Sequence, residues 1–239
     1  MSDPDIVTRE NEMNDHTVTA FDDDLKSITA GVNEMGGYAE SMIGQAVSAL
    51  TRGDLSLAQA VVAEDVALDN MQYKLDEQIV LTIAKRQPVA LDLREVIGAL
   101  RMASDLERVG DMAKNIAKRT KDVVDFAHPK PLLRGIEHLS SLAQAQLRDV
   151  LDAYVNKDIA QARKVLEHDD EIDQVYTSLF RELLTYMMED PRNISFCTHL
   201  LFCAKNIERV GDHATNIAET ILYIVTGEAE QSMHGTRTL

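Results

Sequence analysis

Two similar three-helix bundles in tandem, with no strands, are predicted by three features of this 239-residue chain. The composition is poor in helix breakers, with five prolines, eleven glycines, no tryptophan and 45% hydrophobic residues. Apolar residues recur at i, i+3, i+4 and i+7 over long stretches, which is the period of an amphipathic helix. A twelve-residue segment also occurs twice: Leu106 to Ala117 reads L-E-R-V-G-D-M-A-K-N-I-A, and Ile207 to Ala218 reads I-E-R-V-G-D-H-A-T-N-I-A.

The elements follow in order. Residues 1–15 are acidic and polar, with little to bury, and are expected to form a disordered tail. A first helix is expected from about Thr19 to Arg52, its apolar stripe running through Leu25, Ile28, Val32, Met35, Ala39, Met42, Ile43, Val47 and Leu50. Gly53 suits its C-terminal cap and Asp54 the N-cap of a second helix, from about Leu55 to Lys85, which stops before Pro88. Asp92 is the expected cap of a third helix from about Leu93 to Val124, and His128-Pro129-Lys130-Pro131 then breaks the chain.

The plan then repeats: a helix from Leu132 to Val155, a turn at Asn156-Lys157-Asp158, a helix to Glu189, Pro191 in the connection, and a last helix to Val225. A period of about one hundred residues, each unit three helices long, is the signature of a tandem duplication. The expected organisation is a tail at 1–15, a first repeat at 16–127, a second at 128–226, and a flexible tail at 227–239.

A formal net charge of −16 argues against nucleic acid as a partner, because phosphates need a basic face. No apolar run approaches the roughly 20 residues of a membrane span. The polar first sixteen residues hold no signal-peptide core, so a soluble, cytoplasmic protein is expected. Cys197 and Cys203 do not stack on one helical face and read as reduced core residues. His168 and His213 lie near carboxylates in sequence, but no His-x-x-x-His or Glu-x-x-His spacing occurs.

The acids of the repeated segment carry the chemistry. Glu107 and Asp111 lie one turn apart on a helix face, as do Glu208 and Asp212. Folding the second and third helices of each repeat into an antiparallel hairpin about its loop sets residues opposite one another. About Pro88, Glu107 then faces Asp69 and Asp111 faces Asp65; about Asp190-Pro191, Glu208 faces Asp173 and Asp212 faces Asp169. Four carboxylates brought together must be protonated or neutralised by a cation. A hard divalent or trivalent metal ion such as iron, manganese or magnesium suits an all-oxygen set, and the alternative is neutralisation by Arg108 and Arg209.

Other features are weaker. Gly36 and Gly37, inside the first helix, cost about 1 kcal/mol each relative to alanine and point to close helix packing. Lys85-Arg86-Gln87-Pro88 is a basic cluster at a loop, suited to a solvated surface or to contact with a phosphate or partner.

The two E-R-V-G-D-x-x-x-N-I-A segments, together with Glu34-Met35-Gly36-Gly37, Ala84-Lys85-Arg86-Gln87-Pro88, Asp92-Leu93-Arg94 and Tyr186-Met187-Met188-Glu189-Asp190, give the chain a resemblance to the PhoU family. The resemblance implies two similar three-helix bundles side by side. It also implies metal clusters on Glu107, Asp111, Glu208 and Asp212, with Asp65, Asp69, Asp169 and Asp173 opposite. Gln72 departs from the glutamate the family pattern implies at that level. The implied function is negative regulation of the phosphate-starvation response and of phosphate uptake. The implied partners are the ATPase subunit of the high-affinity phosphate ABC transporter and a membrane sensor histidine kinase, with a homodimer expected and the membrane reached only through partners. A non-enzymatic adaptor is therefore expected. The rival is a helical-bundle carboxylate di-metal redox enzyme, which the missing Glu-x-x-His disfavours.

Overall fold

The structure, a computed structural model, describes the backbone of residues 4–126 and 130–228 and side chains from residue 20 onward. Six long helices account for the described chain: α1 (Pro4–Arg52), α2 (Leu55–Arg86), α3 (Ala90–Val123), α4 (Lys130–Asn156), α5 (Ile159–Glu189) and α6 (Ile194–Thr226), with one 3-10 turn at Pro191–Asn193.

The duplication is visible in the turns. Gly53 and Lys157 occupy matching left-handed positions, with φ of 66° and 52°. The aspartate after each caps the next helix: Asp54 Oδ1 accepts from the Leu57 amide at 2.9 Å, and Asp158 Oδ1 accepts from the Ala160 and Gln161 amides at 2.9 and 3.0 Å. Gly227 ends α6 in the left-handed conformation, satisfying a last-turn carbonyl.

Two boundaries differ from the sequence reading. Helix α1 begins at Pro4 rather than Thr19, so the expected disordered tail at 1–15 is helical from Pro4 on, and only its first three residues lie outside the described chain. Proline suits a first helical turn, and no glycine or further proline interrupts the chain before Gly31. Asp92 is not the cap of α3. Val89 holds that position without a side-chain bond, and Asp92 lies inside the first turn, where a carboxylate still favours the helix dipole. Lys130 and Pro131 of the expected break form the start of α4, where proline is tolerated in a first turn, while residues 128–129 of that break and 229–239 of the expected tail lie outside the described residues.

Each repeat packs its three helices together, and the repeats meet along α1, α3, α4 and α6, while α2 and α5 flank this central group. Both cross-repeat pairs are antiparallel. Along α3 and α6 the contacts Arg94 to Ile224, Asp105 to His213 and Arg119 to His199 run in opposite directions. On α1 and α4, Glu40 pairs with Arg148 at 2.7 Å and Gly36 lies against Leu151. The two bundles are therefore related by a pseudo-twofold axis. Leu106, Val109, Ala113, Ile116 and Ala117 of the first motif are all buried, as are Ile207, Val210, Ala214, Ile217 and Ala218 of the second. Cys197 and Cys203 are buried and free. No helix among the described residues is long and apolar enough to cross a membrane.

The two adjacent glycines of α1 have different reasons. A Cβ on Gly36 would sit 2.5 Å from both terminal methyls of Leu151, so its absence lets α1 and α4 touch; a Cβ on Gly37 meets nothing within 4 Å. Gly37→Ala is expected to raise stability by about 1 kcal/mol through helix propensity. Gly36→Ala is expected to lower it by roughly 1–3 kcal/mol through overpacking. Denaturant unfolding followed by circular dichroism checks both, and equal effects at the two positions would contradict the packing assigned to Gly36.

Candidate metal centres

The motif glycines position the acids. A Cβ on Gly110 would lie 2.2 Å from a Leu68 methyl on α2. A Cβ on Gly211 would lie 3.1 Å from Gln146 Oε1 on α4, 3.1 Å from Ile172 Cδ1 on α5, and 3.5 Å from Asp169 Oδ1. Helices α3 and α6 thus pack closely on their hairpin partners at the level of the carboxylates, and the register is the one the loops predict.

In the first repeat Asp65 and Asp111 are joined through one ammonium group: Lys114 Nζ donates to Asp65 Oδ2 at 2.7 Å and to Asp111 Oδ1 at 2.6 Å. Arg108 Nη1 donates to Asp111 Oδ2 at 3.1 Å, and its Nε lies 3.5 Å from Glu107 Oε2. The Glu107 carboxyl is pushed above its ordinary range, first by burial and then by Asp111, with Arg108 opposing and Asp69 and Asp65 adding to the rise. All four predicted acids of this repeat share one field. Lys114 is held protonated far above physiological pH: burial opposes its charge, but the bonds to Asp111 and Asp65 outweigh it.

In the second repeat Glu208 is buried, and Lys205 Nζ approaches its Oε1 and Oε2 at 2.6 and 2.5 Å. Only Oε1 accepts a well-formed hydrogen bond, which leaves buried Oε2 without one. Burial pushes the Glu208 carboxyl up; Lys205 opposes, and Asp212 and Asp173 add to the rise. Asp169 is buried on α5 beside Gly211. Gln146 spends its Nε2 on the Val165 carbonyl at 3.1 Å, and its buried Oε1 is an acceptor without a donor beside this site.

Sequence reasoning missed the lysines. Each lies three residues from a motif acid, Asp111 to Lys114 and Lys205 to Glu208, a spacing that places the pair on one helix face. Of the two arginines considered, Arg108 does pair with the first cluster, while in the second Lys205 supplies the charge to Glu208. His213 does not join the cluster; its Nδ1 lies 2.9 Å from Asp105 Oδ1 across the seam between repeats. Arg86 of the basic loop is bonded to Asp24 at 2.9 Å.

The donor set fits a hard cation in chemistry: every candidate ligand is an oxygen, two carboxyls are pushed toward protonation, and at the second site the buried Gln146 Oε1 lacks a donor. Its arrangement is closed around ammonium ions, and among the described residues no three His, Cys, Asp or Glu side chains form a ready ion-binding group. Raised carboxyl values carry a sign: the folded state binds protons more tightly than the unfolded one, so stability falls as pH rises through the carboxylate range. Glu107→Gln in chelator is therefore expected to raise the thermal midpoint at pH 7. The gain should shrink as pH falls through the raised Glu107 value and be lost by the ordinary glutamate value of 4.5, because folded Glu107 takes up its own proton above that point. Thermal unfolding across pH checks this, and a loss of stability at pH 7 would contradict it.

A duplicated all-helical bundle with one carboxylate cluster per repeat is the class that this geometry defines. The PhoU domain matches residues 32–120 and 136–221, one match in each repeat, and the chain belongs to the PhoU family. It is 57% identical over 216 residues to the phosphate-specific transport system accessory protein PhoU homolog of Rhizobium meliloti, covering 90% of this chain and 91% of that one. To the namesake from Caulobacter vibrioides it is 50% identical, covering 90% and 94%. Its fold is similar to the crystal structure of PhoU from Pseudomonas aeruginosa, with a TM-score of 0.83 and 36% identity over 87% of this chain and 100% of that one. It is similar also to the phosphate transport system regulatory protein PhoU from Streptococcus pneumoniae, with a TM-score of 0.81 and 27% identity over 88% and 99%. The family is one of accessory and regulatory proteins, so the chain is not an enzyme, and the redox-enzyme alternative is set aside on that membership.

Proposed function

We propose that this protein is a cytoplasmic adaptor that keeps the phosphate-starvation response off and restrains phosphate uptake when phosphate is plentiful. It does so by coupling the ATPase subunit of a phosphate ABC transporter to a sensor histidine kinase, as a homodimer that reaches the membrane only through these partners. The observation that carries the reading is the match of both repeats to one regulatory family whose relatives are named accessory proteins of a phosphate-specific transport system. A chain-wide charge of −16 favours basic partner surfaces and disfavours nucleic acid. Deleting the protein should leave phosphate-starvation genes expressed in phosphate-rich medium and raise phosphate accumulation. Normal repression in a clean deletion without a second homologous copy contradicts the role.

We infer further that each repeat holds a hard cation, iron, manganese or magnesium. The ligands in the first are Asp65, Asp69, Glu107 and Asp111, and in the second Asp169, Asp173, Glu208 and Asp212. Such an ion replaces the charge of Lys114 and Lys205, which turn out to solvent, and draws the opposed helices of each hairpin together through oxygen ligands. Its role is structural and electrostatic, with no reaction step. Because the two clusters lie in separate bundles, Asp111→Ala should lower metal stoichiometry by about half. Asp69→Ala should do the same, as its carboxylate belongs to the same cluster from the other helix, and Asp212→Ala should empty the second. Elemental analysis after purification without chelator or histidine tag checks the set. Loss in Asp111→Ala but not in Asp69→Ala contradicts the pairing; unchanged metal in all three contradicts the metal.

A further inference from the structure

The pseudo-twofold axis also relates the two ends of the seam between repeats, and these ends are built differently. At one end Phe126 and Phe196 pack with ring centroids 5.8 Å apart, Leu50 is fully buried, and Leu133 packs on the core. Superposing the repeats through their shared turns and motifs puts Gly227 in the place of Phe126, Glu95 in that of Phe196, Tyr154 in that of Leu50, and Thr29 in that of Leu133. Four apolar residues are thus exchanged for a glycine and three groups that hydrogen-bond. Helix α1 also runs on past this end, whereas α4 begins at Lys130, level with Lys26, so an overhang around Leu25 adds a wall with no counterpart.

Beside these exchanges lies a cavity of about 530 Å³, with the Arg94 guanidinium packed against Gly227, whereas the pocket at the other end is about 190 Å³. The larger volume lies in the range of small-molecule sites, which are apolar with a few placed polar groups. Leu25, Ala30, Ile221 and Ile224 form apolar wall, and Thr29 and Tyr154 bring hydroxyls. The Tyr154 phenol is buried, bonded to the Thr29 side chain, and raised by burial to about 12, so it stays a neutral donor at any physiological pH. Lys157 is ion-paired with Glu95 on the rim. Lys26, also on the rim, is 79% exposed, and the carboxylate of Asp23 comes no nearer than 4.0 Å. Asp22 lies on the same rim, which leaves the ammonium of Lys26 as the exposed cation for an anionic group.

We propose that this cavity is a binding site for a small planar aromatic anion, its ring against the apolar wall of Leu25, Ala30, Ile221 and Ile224 and its anionic group at Lys26 on the exposed rim. The site is separate from both carboxylate clusters and does not depend on the metal reading. The probe is anilinonaphthalene sulfonate, titrated into the full-length protein by calorimetry and fluorescence. Saturable binding at one site per chain is expected. Ala30 is exposed on the cavity wall, so Ala30→Trp can fill the space without disturbing the core and should weaken binding by at least about tenfold. Lys26→Glu, on the exposed rim, should also weaken the sulfonate by about tenfold while leaving the uncharged phenylnaphthylamine unaffected. Circular dichroism confirms that both variants remain folded. Absence of saturable binding to the wild type, or unchanged sulfonate affinity in either folded variant, overturns the proposal.

Discussion

Gly110 and Gly211 carry no side chain at the points where α3 and α6 press on their hairpin partners, and much of the structure depends on that contact. A methyl at Gly110 would collide with Leu68, itself 1% exposed. With the helices this close and the apolar register fixed, Asp65 and Asp69 stand opposite Glu107 and Asp111 and cannot separate without unpacking the core. Their repulsion has to be answered where they stand. The upward shifts at Glu107 and Glu208 are one answer, and the ammonium groups of Lys114 and Lys205 are another. The hard cation proposed above would be a third answer, with more charge in less space.

The duplication supplies a frame and then departs from it at chosen points. Equivalent turns, caps and motif helices set the pseudo-twofold axis, yet the neutralising lysine follows the motif acids in the first repeat and precedes them in the second. On the seam, Gly98 accommodates Ile224, whereas the equivalent His199 is bonded to Arg119. Arg119 in turn stacks its guanidinium on Phe202 at 4.2 Å, a closer cation–π contact than that of Arg101 over Tyr223 at 5.4 Å toward the other end of the seam. Divergence between the repeats is where the two halves of the surface become distinct.

Helix number, order and type were legible because apolar residues at helical spacing, glycine and aspartate at turns, and proline at breaks all agree. The carboxylate register was legible for a simpler reason: a hairpin about Pro88 or Pro191 leaves little freedom over which residues face each other. Three things were not. The start of α1 at Pro4 was obscured because a polar, acidic stretch reads as disorder by composition even when nothing breaks the helix. Lys114 was passed over because charge on a long flexible stem looks solvated until the opposite helix brings Asp65 to it. The seam cavity was invisible, since its lining is assembled from α1, α3, α4 and α6, segments that lie far apart in sequence.

Helix pairing at the motif glycines creates two cation sites if the carboxylates, rather than the lysines, define the resting site. Crystals grown with manganese, with data collected to reveal anomalous scattering, test this most directly. Anomalous peaks among the four carboxylates of each repeat, related by the pseudo-twofold axis and with Lys114 and Lys205 turned away, are the expected result. No anomalous density at either cluster, with Lys114 still bridging Asp65 and Asp111, would contradict it.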